Sequence, residues 1–335
     1  MLIARLRKGY HMSSGMSTNS RLSILTAFGP TLFWGLSYAF TKGLLQSLTP
    51  VEIAVFRFLI GSVALLVLSV VMKRLQPIKR EHLPRAIAAG VIGVTVYFLF
   101  ENYGLNYTSA SAGSLIIASI PVINLLVSWL SRSEQITVAG TIGVLLSFAG
   151  VYVLVKASPD QTGSSLSGNL LVLGAAISWV VYTRINAPLI NEYDLFALNT
   201  FETCVGTIAL VPVGIYTGIS LPAANLNIWL SLAYLGFICS AAAYVLYLIA
   251  LKQLGSVVVT TFVNLVPVFG VIAAVVILGE RIATEQLWGG LMILAGVVLV
   301  TKKGKREDDA HHNSQSRPAQ SAKKTHSHST YYQTG

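Results

Sequence analysis

Long apolar stretches, separated by short polar connections, occupy most of the chain between residues 23 and 303. A helix rises ~1.5 Å per residue and the hydrocarbon core of a bilayer is ~30 Å thick, so ~20 apolar residues are needed to cross it. Ten stretches are taken as spans of this kind, at 23–44, 51–72, 84–105, 109–130, 136–155, 168–187, 194–216, 226–249, 256–278 and 285–301. The pattern predicts an all-α polytopic membrane protein with ten transmembrane helices.

The ten stretches form two sets of five that align with each other. With a shift of 145 residues Trp34 aligns with Trp179, and with a shift of 146 residues Pro121 aligns with Pro267. Because five is an odd number, the second set must cross the membrane in the opposite sense. Inverted repeats of this kind are typical of carriers with a binding site near the midplane. We therefore expect two inverted five-helix repeats, at 23–156 and 157–303.

Composition and charge agree with this topology. The chain is 54% hydrophobic and 11% charged, whereas soluble domains are ~25% charged. Of the 23 Lys and Arg residues, 19 fall on the side of the predicted termini, and only Lys42, Lys156 and Arg281 fall in the opposite loops. This asymmetry places both termini in the cytoplasm. We expect a cytoplasmic segment at 1–22 and a disordered polar tail at 304–335.

Arg57, Glu101 and Glu202 are charged residues that are predicted to lie several residues inside their spans. Arg57 lies seven residues into helix 2, at a depth of ~10 Å, where a charge costs ~2.5–3.5 kcal/mol unless it faces a cavity or a partner. Glu101 lies at a comparable depth in helix 3. The two form either an anion contact or coupled charge pair on a transport route, or a structural ion pair between helices 2 and 3. Glu202 aligns with Arg57 but falls in the cytoplasmic half, so contact between them is not expected.

Burial disfavours a charged carboxyl, so Glu101 and Glu202 are also candidates for carrying a coupling proton. The alternative is that either group is simply hydrated or hydrogen-bonded. Aromatic and amide side chains recur in the middle of the spans, where a polar atom needs a partner on another helix or on a solute. The candidate substrate-binding residues are Trp34, Tyr38, Arg57, Tyr97, Glu101, Asn124, Trp179, Tyr182, Tyr244 and Asn264. Tyr247 occupies the position of Glu101 in the second repeat.

Matched prolines and small residues point to kinks and close helix contacts. Pro121 and Pro267 each remove a helical hydrogen bond inside a span, and kinks at corresponding places in two repeats indicate hinges or a binding centre. Gly143, Ser147 and Gly150 form a small-residue face on helix 5. Such a face allows close packing of helices within the chain, or dimerisation. The chain is expected to be a monomer or a homodimer.

Several of these motifs occur together in one known family. They are Trp in the first helix of each repeat, Thr49-Pro50 before Arg57-Phe58, the prolines followed by Glu134 and Glu280, and Ala-Gly-Val at 149–151 and 295–297. Over residues 23–303 the chain resembles the EamA branch of the drug/metabolite transporter superfamily. The resemblance implies a bacterial inner-membrane carrier that exports amino acids or related metabolites, aromatic and neutral amino acids above all. Only Arg57 carries over as a motif residue, because Glu202 breaks the repeat symmetry.

Other classes of protein remain as alternatives. A drug or nucleotide-sugar carrier fits the same fold, although nucleotide sugars favour several basic residues in the cavity, where we identify one. A channel or a non-transporting membrane scaffold is a further alternative. An enzyme is disfavoured because no His lies in a span and no His-Glu-x-x-His, Gly-x-Ser-x-Gly or phosphate-loop motif occurs. We expect a small-molecule substrate and the lipid bilayer as partners, with no nucleic acid, cofactor or metal.

Overall fold

The computed structural model describes residues 18–132, 138–156, 165–223, 225–254, 259 and 262–315. Within these residues all regular structure is helical. In chain order the helices are α1 (Thr18–Leu44), α2 (Pro50–Val71), α3 (Leu83–Tyr107), α4 (Ala110–Leu130), α5 (Val138–Lys156), α6 (Leu166–Asn186), α7 (Leu195–Thr217), α8 (226–254), α9 (Val266–Leu278) and α10 (Thr284–Gln315). Each helix overlaps the apolar stretch predicted at its place.

Six of the helices are long and apolar enough to cross a membrane by length and composition, namely α2, α3, α4, α6, α7 and the part of α8 at Leu226–Tyr247. Shorter apolar helices occur at Val138–Leu154, Val266–Leu278 and Thr284–Leu299. The prediction of an all-helical chain with several membrane-spanning helices is thereby confirmed for the described residues, whereas the number of ten transmembrane helices stays a prediction. The last helix continues to Gln315, past the predicted start of the disordered tail. Residues 1–17 and 316–335, like Glu134, lie outside the described residues.

Helices α2 and α7 begin with matched caps. Thr49 and Glu52 form a capping box at the start of α2, in which each side chain accepts a hydrogen bond from the backbone of the other, and Pro50 occupies the first turn. Asp194 caps α7 by accepting from the backbone N–H groups of Phe196 and Ala197, both at 3.2 Å. These side chains satisfy N–H groups that a helix start leaves unpaired.

Contacts at the helix ends show that α2 and α7 run in opposite directions. At the start of α2, Glu52 Oε1 accepts from the backbone N–H of Ser220 at 3.0 Å and from its hydroxyl at 2.9 Å. Ser220 lies just beyond the end of α7. At the start of α7, Asp194 Oδ2 lies 2.6 Å from Arg74 Nη1, just beyond the end of α2. Each helix therefore starts where the other ends.

Two π-helical segments mark the contact between the repeats. They are Val91–Val96 in α3 and Tyr234–Ala242 in α8. Helix α7 crosses the first segment and α2 crosses the second at paired glycines. A Cβ atom on Gly206 would lie 2.6 Å from the carbonyl oxygen of Gly90, and one on Gly236 would lie 2.9 Å from that of Arg57. Only glycine permits this approach of the two backbones.

Helices α4 and α9 carry matched interruptions. Residues 118–119 break α4 and the turn at 264–265 precedes α9. Pro121 and Pro267 lie in the first turn of the segments that follow, where the missing proline N–H removes no helical hydrogen bond. The interruptions thus lie just before the two prolines rather than at them.

Helices α5 and α10 pack along their small-residue faces. A Cβ atom on Gly150 would lie 2.6 Å from the carbonyl oxygen of Gly289. The Ser147 hydroxyl donates to the carbonyl oxygen of Ile293 at 3.2 Å. The predicted small-residue face of helix 5 is therefore used within the chain.

Candidate functional site

Arg57 is a buried cation with incomplete hydrogen bonding. It lies on the eighth residue of α2 and is only 4% exposed. Its Nε donates to the Ser240 hydroxyl of α8 at 3.1 Å, and its guanidinium carbon lies 4.4 Å from the centre of the Phe98 ring. Its Nη1 is buried without a hydrogen-bond partner among the described residues. A guanidinium carries five N–H donors, so this site has donor capacity left for a ligand.

Glu101 lies near Arg57 without pairing to it. The Tyr97 hydroxyl donates to Glu101 Oε1 at 3.0 Å, and the Tyr38 hydroxyl approaches the same carboxyl group. The ion pairs found within 4.0 Å in the described part of the chain join other residues. Glu101 and Arg57 therefore share one region of the bundle without a direct contact among the described hydrogen bonds and ion pairs. The alternative of a direct structural ion pair between helices 2 and 3 is therefore not what the structure shows.

Aromatic rings form a continuous line of contacts away from Arg57. Phe98 and Tyr97 lie 4.7 Å apart between ring centres, and Tyr97 lies 5.4 Å from Trp179 of α6. Trp179 lies 5.1 Å from Tyr182, one turn further along α6. These residues come from α3 and α6, which belong to different repeats. The line therefore joins the two halves of the chain.

A second set of rings flanks the same region from α1 and α8. Trp34 lies 5.5 Å from Tyr244 and 5.7 Å from Tyr247 between ring centres, and its Nε1 donates to the carbonyl oxygen of Cys239 at 3.0 Å. All three rings are half-buried. Trp34 of α1 packs against α8, just as Trp179 of α6 packs against α3. Each repeat therefore places its Trp against the helix of the other repeat that contains a π-helical segment. We call the seven residues Trp34, Tyr38, Tyr97, Trp179, Tyr182, Tyr244 and Tyr247 the aromatic cluster.

Glu202 lies at the far end of the aromatic line. Its Oε2 accepts from the Tyr182 hydroxyl and from Asn186 Nδ2, both at 3.0 Å. Its Oε1 is buried without a partner among the described residues, and so is Asn186 Oδ1. In the described part of the chain, Arg57 makes no ion pair with it.

The two asparagines predicted at the site lie apart from the cluster. Asn124 is exposed on α4, and its backbone carbonyl accepts from Arg184 Nη2 at 3.2 Å. Asn264 is half-buried in the turn before α9. No contact in the described residues brings either side chain to Arg57 or Glu101. The substrate-binding role predicted for Asn124 and Asn264 has no support in this geometry.

A small apolar crevice lies elsewhere in the bundle. It is formed between α4, α5 and α6 and is lined by Ser119, Val122, Ile123, Ser147, Phe148, Val151 and Leu173. None of these residues belongs to the aromatic cluster or carries a charge. The charged and aromatic groups around Arg57 and Glu202 therefore remain the candidate functional site.

Three residues of the site were missed by the sequence reasoning. Phe98 and Ser240 hold the guanidinium of Arg57, and Asn186 holds the carboxyl group of Glu202. A helical signal existed for two of them. Asn186 follows Tyr182 by four residues and Phe98 precedes Glu101 by three, so each shares a helix face with a predicted site residue. Ser240 precedes Tyr244 by four residues, but it lies inside a π-helical segment, where the spacing of an α-helix does not apply.

The fold is that of a multi-pass helical membrane protein, and comparison with known proteins identifies its class as a transporter and gives its family. The model of the EamA-like transporter family matches residues 21–156 and again residues 166–302. The chain belongs to this family, which confirms the resemblance and the two repeats.

Relatives of similar length carry the same class of name. An "uncharacterized transporter" of Archaeoglobus fulgidus is 33% identical over 290 residues, which cover 85% of this chain and 99% of the relative. The uncharacterized transporter YyaM of Bacillus subtilis is 22% identical over 276 residues, which cover 81% of this chain and 90% of the relative. A solved crystal structure that is 18% identical aligns over 86% of this chain with a TM-score of 0.61. That likeness concerns the fold alone.

Proposed function

We propose that the protein is a secondary carrier that exports a small zwitterionic metabolite, an aromatic or neutral amino acid. In this proposal ten helices in two inverted repeats lie in the prokaryotic plasma membrane with both termini in the cytoplasm. Alternate opening of the bundle to either side then carries the substrate across. The antiparallel course of α2 and α7 supports the inverted arrangement.

The unpaired Nη1 of Arg57 is the observation that carries the proposal. A buried guanidinium N–H without an acceptor costs more than the ~1–3 kcal/mol of a neutral donor, so its persistence requires a compensating role. Arg presents paired N–H groups that match a carboxylate in two parallel hydrogen bonds. The substrate carboxylate is therefore the ligand that completes this site.

The neighbours of Arg57 suit the rest of an amino acid. Glu101 lies beside the guanidinium and offers a carboxyl group for a substrate ammonium, held in place by Tyr97 at 3.0 Å. The aromatic cluster provides flat apolar surfaces for a side chain, and stacked or edge-on aromatic pairs are worth ~0.5–1.5 kcal/mol beyond the area they bury. A carboxylate, an ammonium and an apolar body would thus each meet a complementary group.

Two other carriers are less compatible with these residues. A nucleotide sugar carries phosphate groups and calls for several cations, whereas the described contacts place one basic residue, Arg57, beside Phe98 at the start of the aromatic line. A cationic drug would be repelled by Arg57. In a membrane scaffold, no ligand would compensate the cost of the unpaired guanidinium N–H group.

Competition by substrate fragments tests the proposal. The purified protein is reconstituted in liposomes and exchange of labelled phenylalanine is measured against unlabelled competitors. We expect phenylalanine and leucine to compete, and phenethylamine, which lacks the carboxylate, to fail. Competition by phenethylamine as strong as by phenylalanine would refute the role of Arg57. Absence of exchange for every neutral amino acid, with active protein shown by a resistance screen against other compounds, would refute the substrate class.

A further inference from the structure

Glu202 differs from the other buried carboxyl groups in its surroundings. Glu52 is 6% exposed and receives hydrogen bonds from Thr49 and Ser220 on its two oxygens. Glu101 accepts a hydrogen bond from the Tyr97 hydroxyl and lies near the positive charge of Arg57. Glu202 is 2% exposed, has no cation in contact in the described residues, and has one oxygen without any partner. A carboxylate buried in this way would be strongly unfavourable as a bare anion.

Among the described residues, no basic side chain contacts Glu202. Tyr182 and Asn186 of α6 donate to Oε2, and the Tyr244 phenol of α8 lies near it. On α3, Gly90 presents only backbone to Glu202. Arg57 of α2 is bound to Ser240 and Phe98, and Arg184 of α6 is bound to Ser128 at 2.6 Å.

The unpaired atoms at this place are all acceptors. Glu202 Oε1 and Asn186 Oδ1 are both buried without a donor among the described residues. One proton on Oε1 removes the buried charge and turns one of these acceptors into a donor. A metal ion fits less well, because it needs several oxygen ligands. The two side chains that hold Oε2 direct N–H and O–H groups at it, and the described residues contain no cluster of three metal-binding side chains.

We propose that Glu202, held by Tyr182 and Asn186, is a proton-binding site whose occupancy is coupled to transport at Arg57. The proton is carried on the Glu202 carboxyl group in one state and released to water when the bundle opens on that side. The aromatic line from Phe98 through Tyr97 and Trp179 to Tyr182 connects the two sites by direct contact. The coupling rests on the proposed carrier function, whereas the proton site itself does not.

Infrared spectroscopy tests the proton site without any substrate. The full chain in lipid is taken through a pH series, and the C=O band of protonated carboxylic acids is followed. We expect a band that disappears as the pH is raised, that is missing in Glu202→Gln, and that persists in the matched variants Glu101→Gln and Glu52→Gln. Gln keeps an acceptor for Tyr182 and Asn186 and is close to isosteric, and gel filtration checks that each variant is folded. A band that survives in Glu202→Gln, or no titrating band at all, would overturn the proposal.

Transport of labelled phenylalanine then tests the coupling. A gradient of one pH unit supports at most a tenfold accumulation ratio for one coupled proton, since one unit is ~1.36 kcal/mol and 1.4 kcal/mol is a factor of ten. We expect this ratio to fall to about one in Glu202→Gln while exchange without a gradient is retained. Unchanged accumulation in the variant, or accumulation driven by sodium instead, would contradict the coupling. A Glu202 band without transport of any amino acid would refute the carrier proposal and leave the proton site standing.

Discussion

Replacement of Arg57 by Met separates binding of a substrate from support of the fold. Met has a similar length but no charge and no donor. In the variant, the Ser240 hydroxyl remains satisfied, because it already donates to the carbonyl oxygen of Leu235 at 2.9 Å. The variant loses a cation–π contact worth ~0.5–2 kcal/mol but also removes a buried charge with an unpaired donor, and such exchanges are often neutral or stabilising. We therefore expect Arg57→Met to fold.

The magnitude of the transport defect follows from the missing hydrogen bonds. A hydrogen bond to a charged group contributes ~1.5–3 kcal/mol, and each 1.4 kcal/mol is a factor of ten. One lost bond between guanidinium and carboxylate therefore raises the KM for phenylalanine by roughly 10-fold to 150-fold. Loss of a bidentate pair raises it further. Arg57→Lys keeps the charge but not the paired N–H geometry, so we expect its KM to lie between those of the wild type and Arg57→Met.

The assay is exchange of labelled phenylalanine in liposomes, with the amount of inserted protein measured for each variant. Ser240→Ala is the matched control, because it removes the hydrogen bond to Nε at 3.1 Å and leaves Nη1 untouched. Its effect on KM is expected to stay below about tenfold, because the hydrogen bond that it removes joins two groups of the protein and none of the substrate. A folded Arg57→Met with a normal KM would refute the assignment of the carboxylate to Arg57.

Three further predictions concern the fold and its orientation. Gly206→Ala should lower the free energy of unfolding by ~1–3 kcal/mol, because its Cβ would lie 2.6 Å from the carbonyl oxygen of Gly90. Gly43→Ala, with 3.9 Å to Leu278, should be neutral or stabilising, and equal melting temperatures for the two would contradict the close packing of α3 on α7. Asp194→Ala should lower the free energy of unfolding by ~1 kcal/mol, because the helix cap is lost. Asp194→Asn keeps the cap and loses only an exposed ion pair worth ~0–1 kcal/mol. Thermal unfolding in detergent compares the two variants, and a larger loss of stability in Asp194→Asn than in Asp194→Ala would contradict the role of the cap. Ser47 and Glu192 are aligned by a shift of 145 residues, and both are exposed. Each is replaced by Cys in a background that lacks Cys204 and Cys239. A maleimide that cannot cross the membrane should then label Ser47→Cys only from outside and Glu192→Cys only from inside. Labelling of both from one side would exclude inverted repeats.

The course of the helices could be predicted because its signals are local. Thr49-Pro50 predicts the start of α2, and the helix begins at Pro50 with Thr49 as its cap. The apolar stretches predict the position of each helix, although α10 continues beyond its stretch to Gln315. The π-helical segments could not be predicted, since they arise where α3 and α8 adapt to backbones that approach at Gly206 and Gly61.

The buried charged residues could be identified from the sequence, but the direction in which each side chain points could not. Counting residues along α2 and α3 places Arg57 and Glu101 at similar depth, yet it does not say which way each side chain turns around its helix. The structure turns Arg57 towards Ser240 and Phe98, and so the two charges do not pair. Asn124 shows the same limit, because it lies within a predicted span but is exposed.

Trans-stimulated counterflow tests the central claim most directly, because only a carrier exchanges substrate through a site that faces one side at a time. Liposomes that contain the wild-type protein and a high concentration of unlabelled phenylalanine are diluted into a trace of labelled phenylalanine. We predict that the label rises transiently inside the vesicles above its equilibrium level and then decays. Entry that only approaches equilibrium would indicate a channel, and no entry of any neutral amino acid tested in this way would contradict the proposed carrier.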